Sequence, residues 1–133
     1  MSQVSNIILT TSFLEDINDD DENPNVDKIN KWFIDNNHKS KLINVSDYSQ
    51  SSKCIECQIF ITTVNYLDHY ALIDALNNIE WEYYDAVQLM IKGQEDHLFD
   101  VYSFFSKKNG GYDLKKWDNW QNGKDTESEF YRN

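Results

Sequence analysis

Two cysteines, Cys54 and Cys57, stand in a C-x-x-C spacing, an arrangement that can supply half a zinc site or a redox pair. Both lie in Lys53-Cys54-Ile55-Glu56-Cys57-Gln58-Ile59-Phe60-Ile61. That stretch reads as a strand, on which side chains three apart point to opposite faces. The chain offers no second cysteine pair and no clustered histidines, so the thiols are read as ordinary reduced residues and no metal ligand is assigned. His38, His69 and His97 are scattered. His69 near a helix start and His97 at a turn are expected at one end of the fold, near Asp68, Glu95 and Asp96, and are read as surface residues. Neither a G-x-S-x-G nucleophile elbow nor a phosphate-cradling P-loop is present, and none of the 4 glycines precedes a helix start. No catalytic residue and no cofactor is expected; the chain reads as a binding protein and not an enzyme.

The other chemically loaded stretch is acidic. Six of the eight residues from Glu15 to Glu22 are carboxylates: Glu15, Asp16, Asp19, Asp20, Asp21 and Glu22. Mutual repulsion makes such a run a solvated loop in preference to a helix interior. The whole chain has 23 acidic against 12 basic residues, net −11. That balance disfavours direct contact with nucleic-acid phosphates or an anionic membrane surface and favours a cationic partner. Acidity that serves only solubility is the plainer alternative.

The elements that would position these groups follow from periodicity. Ser5–Ser12 reads as a strand centred on Ile7, Ile8 and Leu9. Asn23-Pro24 is a helix start, with Asn as cap and Pro in the first turn; Val26, Ile29, Trp32 and Phe33 follow at helical spacing, and Asn36-Asn37-His38 ends the helix. Lys41–Val45 reads as a short strand. Cys54–Val64 reads as a longer one, with Ile55, Cys57, Ile59 and Ile61 on its buried face and Phe60 as an exception on the other. Asn65 is the expected cap of a second helix, with Asp68 reaching back as in a capping box, and Leu72, Ala75, Leu76 and Ile79 form its stripe. Asp85–Lys92 reads as a strand with Val87, Leu89 and Ile91 on one side, and Leu98–Phe105 as a possible fifth strand. The order β-α-β-β-α-β is the ferredoxin-like pattern. The expected fold class is α/β (α+β): a two-layer sandwich of an antiparallel sheet with two helices on one face, plus an extra C-terminal strand. Residues 1–106 form the expected domain. Residues 107–133 are an aromatic and charged tail that either packs on the open sheet face or an edge strand, through Trp117, Trp120, Phe130 and Tyr131, or is partly disordered. A chain of 133 residues suits one domain. There is no run of 18 apolar residues and no basic n-region at Met1–Val4, so no membrane helix and no signal peptide are expected, and the expected compartment is the cytoplasm.

In such a topology the loops after the first and second strands and before the fourth share one end of the sheet. They carry Glu15–Glu22, then Asp47 and Tyr48, then Glu80, Trp81, Glu82, Tyr83, Tyr84 and Asp85. One end would then gather about ten carboxylates around four aromatics: charge to steer a cationic partner and rings to anchor it. The expected partner-binding residues are Glu15, Asp16, Asp19, Asp20, Asp21, Glu22, Asp47, Tyr48, Glu80, Glu82, Tyr83 and Asp85. Trp81 is assigned to the core, and of Tyr83 and Tyr84 only one is expected to be free.

The stretches Val64-Asn65-Tyr66-Leu67-Asp68, Ala71-Leu72, Trp81, Val87-Gln88-Leu89, Gln94-Glu95-Asp96 and Phe99, with the opening Ile7-Ile8-Leu9-Thr10-Thr11-Ser12 and the acidic loop after it, resemble small bacterial immunity proteins of polymorphic and contact-dependent toxin systems. The resemblance covers about the middle third of the chain and that opening, contains no catalytic signature and transfers no functional residue. It implies a cytoplasmic antidote, monomeric or homodimeric when free, that binds a cognate basic toxin domain, often a nuclease. A nucleic-acid-mimicking inhibitor from a phage or mobile element would use the same acidity. A small enzyme or ligand-binding domain would use the histidine end and would show a deep pocket there with converging polar groups.

Overall fold

Strict alternation governs the first strand. In β1 (Val4–Ser12) Ser5, Ile7, Leu9 and Thr11 are buried while the residues between them are half-exposed, the period-2 signature of a strand with one covered face. The computed structural model describes residues 3–15, 23–46, 57–117 and 130–131. Among them, the further elements are α1 (Pro24–Asp35), β2 (Ile43–Asn44), β3 (Cys57–Asn65), α2 (His69–Asn77), a 3₁₀ turn (Tyr84–Ala86), β4 (Gln88–Gly93), β5 (Asp100–Lys107), β6 (Tyr112–Lys116) and β7 (Phe130–Tyr131).

The fold is mixed α+β: one antiparallel sheet and two helices among the described residues. The strands run in the order β2-β3-β1-β4-β5-β6, with β7 paired to β5. The sheet therefore extends past β4 by more than the one extra strand expected. Within the stretch 107–133, Tyr112–Lys116 pairs with β5 as a strand, and Leu114 belongs to the core. Ser106 of β5 pairs with Tyr112 on one side and Tyr131 on the other. Trp120 lies outside the described residues.

Both helices are shaped by their ends. Asn23 caps α1, its Oδ1 accepting from the backbone N–H groups of Asn25 and Val26 at 3.1 and 3.3 Å. At the other end Asn37 takes φ +65°. This left-handed residue lets His38 N–H reach the Phe33 carbonyl at 2.8 Å and Asn37 N–H reach Ile34 at 3.0 Å, the paired closure of a Schellman motif. The cap of α2 is Asp68, whose Oδ1 accepts from Ala71 N–H at 3.2 Å. Asn65, the expected cap, instead ends β3 and accepts from Gln3 N–H at 2.8 Å.

Val26, Ile29 and Phe33 of α1, with Leu72 and Leu76 of α2, join Ile7, Leu9, Val64, Leu89 and Ile91 of the sheet in one buried cluster. Trp81 closes that cluster, its indole N–H donating to the Leu76 carbonyl at 3.3 Å.

The face assignment of β3 is the reverse of the one expected. Leu9 stands opposite Phe60 and Ser5 opposite Val64, so Phe60 and Val64 point inward, at 5% and 1% exposure, while Ile61 is 42% exposed. A shift of one residue exchanges the two faces of a strand. Here the apolar alternation of Cys57, Ile59 and Ile61 marks the outer face, where Ile61 and Met90 flank Ile8. That outer face carries apolar residues among polar ones such as Asn6, Thr10 and Lys92. On it Trp117 packs edge-on against Phe105, centroids 5.1 Å apart, and donates to Ser103 Oγ at 2.9 Å.

Alanine substitutions separate the two registers. Phe60→Ala should cost about 3–5 kcal/mol and Ile61→Ala less than about 1 kcal/mol, measured by urea unfolding; the reverse ranking would contradict this register.

Candidate functional site

The sheet brings several chain connections to one end. Ser12 pairs with Cys57, Thr10 with Gln88, and Val45 N–H reaches the Ile59 carbonyl at 2.8 Å. The chain therefore leaves β1 after Ser12, leaves β2 after Ser46 and enters β4 before Gln88 at the same edge of the molecule. Asp16, Asp19, Asp20, Asp21, Glu22, Asp47 and Tyr48, like Cys54, lie outside the described residues. The roots of their loops are in place.

Glu15 corrects the expectation of a solvated acidic loop beginning at that position. The chain turns tightly after β1, with Glu15 N–H donating to the Ser12 carbonyl at 3.1 Å and Leu14 N–H to Ser12 Oγ at 3.1 Å. The turn drives the Glu15 side chain inward to 0% exposure. Its Oε1 accepts from Glu82 N–H at 2.6 Å and from Asn25 Nδ2 at 3.2 Å, and its Oε2 accepts from Tyr83 N–H at 3.0 Å. A buried carboxylate is costly unless its oxygens are satisfied; here charge-assisted bonds from neutral donors do so. Glu15 is an internal clasp and not a docking residue.

The clasp spans three elements. Asn25, buried in the first turn of α1, donates from the same Nδ2 to the Glu80 carbonyl at 3.0 Å. Next to it, Asn23 Nδ2 donates to Thr11 Oγ1 at 3.3 Å and to Gln58 Oε1 at 3.2 Å. The cap of α1, the end of β1, the start of β3 and the turn before β4 are thus one polar network. Gln58 can face inward because this network satisfies it.

Around the clasp, Glu80, Glu82 and Asp85 are exposed, so the structure keeps them at the surface end where they were expected. Tyr83 is 43% exposed. Tyr84 is half-buried, stacked on Tyr112 at 4.3 Å and edge-on to Phe104 at 4.9 Å. Trp81 is core. Sequence reasoning passed over Phe13 and Leu14, which sit between β1 and the clasp with 48% and 54% exposure. Their signal was present: two large apolar residues just beyond a strand and just before a charge run, where a solvated loop has no use for them.

The histidines have separate environments. His38 packs against Trp32 and Phe33, and His97 is exposed. His69 lines an open groove at the opposite end of the sheet, about 430 Å³ in volume. Among the described residues no set of three or more His, Cys, Asp or Glu is arranged to hold a metal ion. On β5 the Tyr102 phenol is held above its usual range by burial, then by the nearby Asp100 and Tyr70. Among the described residues no helix is long and apolar enough to cross a membrane. Comparison with protein-family models, curated proteins and solved structures finds no match.

Replacing the clasp tests its role. Glu15→Gln keeps an oxygen for Glu82 and Asn25 but sets an amide donor against the Tyr83 N–H, and should destabilise the fold by about 1–3 kcal/mol. Hydrogen exchange should show the Glu82 and Tyr83 amides losing protection ahead of the Ile7 and Leu89 amides; uniform loss would contradict a local clasp.

Proposed function

We propose that this chain is an immunity protein, a cytoplasmic antidote that binds a basic toxin domain, such as a nuclease, and occludes its active site by binding, with no chemistry at that surface. The observation that carries this reading is the Glu15 clasp. It ties the root of the Glu15–Glu22 run to the Glu80–Tyr83 backbone, so two acidic segments far apart in sequence start from one rigid point. Glu80, Glu82 and Asp85, with the acidic residues from Asp16 to Glu22 and Asp47, supply the negative field. Such a field raises encounter rates with a cationic protein. Phe13, Leu14 and Tyr83 supply apolar area at the same end, and binding energy concentrates in buried anchors of this kind. Those exposed apolar groups favour a protein surface over simple mimicry of nucleic acid, which asks for charge alone.

The same reading takes the first four strands, in the order β2-β3-β1-β4 with antiparallel neighbours, as a ferredoxin-like unit enlarged by the β5–β6 hairpin. Its support is that α1 joins β1 to β2 and α2 joins β3 to β4, each passing over one intervening strand.

Capture of the partner from a strain carrying the gene, followed by co-expression, should yield a protein whose toxicity this chain suppresses. With that partner, the combined Asp19→Lys, Asp20→Lys, Asp21→Lys and Glu22→Lys variant should lower the association rate about tenfold or more and flatten its dependence on salt. Phe13→Ala or Tyr83→Ala should instead raise the dissociation rate about tenfold. An unchanged association rate in the charge-reversed variant would overturn the surface assignment.

A further inference from the structure

At the end of the sheet away from the clasp, Ser5 Oγ lies 2.8 Å from His69 Nε2. Seven strand steps from Ser12, this is about 23 Å distant. We propose that Ser5 and His69 form a nucleophile–base pair that accepts an acyl group from a small neutral ester, a second site independent of the partner-binding end.

Three observations carry the inference. The first is placement. Ser5 occupies the one inward position of β1 nearest its start, following the phase of Ile7 and Leu9, and is 5% exposed. A hydroxyl there must be satisfied, and the group that satisfies it is an imidazole. With the imidazole proton on Nδ1, Nε2 accepts the Ser5 hydroxyl hydrogen, the contact by which a base activates a serine. The second is access. Ser5 and His69 both line the groove of about 430 Å³, whose walls include Val4, Tyr66, Leu67 and Asp68. Valine, leucine and tyrosine suit a short acyl or aryl group, while Asp68 repels an anionic one. The third is backbone strain. Tyr66 takes φ +56°, a conformation that disfavours a bulky side chain by about 1–2 kcal/mol. Its N–H donates to the Gln3 carbonyl at 2.9 Å, while Asn65 Oδ1 accepts from Gln3 N–H at 2.8 Å. These two bonds hold the bend that turns the chain from β3 into α2 and sets His69 over Ser5. Strain held in this way concentrates at working sites.

The step is ordinary acyl transfer. His69 Nε2 takes the Ser5 proton as Oγ attacks the ester carbonyl carbon. The bond to the leaving oxygen breaks, and that oxygen takes the proton from His69. Water then gives a proton to His69 as its oxygen attacks the acyl carbon; the bond to Ser5 Oγ breaks, Oγ takes the proton back from His69, and the carboxylic acid leaves. Asp68 is engaged in capping Ala71 N–H, so the site is a dyad, and modest rates are expected of it.

The full-length protein is treated with a fluorophosphonate probe, whose phosphorus takes the Ser5 oxygen as fluoride leaves, and the adduct is located by peptide mass mapping. Labelling at Ser5 is expected, about 100-fold faster than at the other serines and lowered about 100-fold in His69→Gln. Circular dichroism confirms that the variant is folded; should it unfold, Tyr66→Gly, which relieves the positive φ and loosens the bend, serves in its place and should slow labelling while the fold persists. Hydrolysis of p-nitrophenyl acetate above the Ser5→Ala level is the second readout. Absence of a Ser5 adduct, or labelling unaffected by His69→Gln, overturns the proposal and leaves a purely structural hydrogen bond.

Discussion

A single carboxylate taken out of water organises the end of the molecule on which the functional reading rests. Removing an ionised group from solvent costs several kcal/mol even after relaxation. Glu15 offsets that cost with three hydrogen bonds, two of them from consecutive backbone amides in the turn before β4. A backbone amide cannot be mutated away or swing aside as a lysine can. The geometry of the Glu82–Tyr83 turn is therefore coupled to the end of β1 through the main chain, and Asn25 brings α1 into the same arrangement. The exposed side chains nearby inherit their positions from this buried one.

The sheet poses a second constraint, because large apolar residues lie on both of its sides. One side is sealed by α1 and α2. The other carries Ile8, Ile61 and Met90, with Trp117 and Phe105 at its β5 end. Three consecutive apolar residues, Ile7, Ile8 and Leu9, announce this in β1, where no alternation identifies the inner face. Register then decides which side each residue takes, and register depends on pairing across strands more than on any strand's own pattern.

This explains what could and could not be read from the residues in order. Helix α1 was legible to its ends because Asn23-Pro24 and Asn36-Asn37 are local signals with local causes. Trp81 as core, and Val87, Leu89 and Ile91 as one buried face, were legible from spacing. The mixed α+β class followed from the order of elements. In β3 the inner face was misread because Cys57, Ile59 and Ile61 outnumber Phe60 and Val64 as apolar residues, and counting cannot show that Leu9 stands opposite Phe60. Asn65 looked like a helix cap because its partner, Gln3, is 62 residues away in sequence. Glu15 was illegible for the same reason. It is one carboxylate among six in a run, and what distinguishes it is a pair of amides 67 and 68 residues further on. The Ser5–His69 contact, 64 residues apart, had only a faint trace: a hydroxyl in the inward phase of β1, next to Ile7 and Leu9.

The clasp also separates two inheritances. The clasp is framed by two inward-looking residues, Glu15 just past β1 and Asn23 at the cap of α1. The bonds that Glu15 receives from positions 82 and 83 come from the main chain, so the side chains at those two exposed positions can change over generations without removing the donors that hold the turn. A lineage could rewrite that exposed turn repeatedly while the scaffold beneath it stood still.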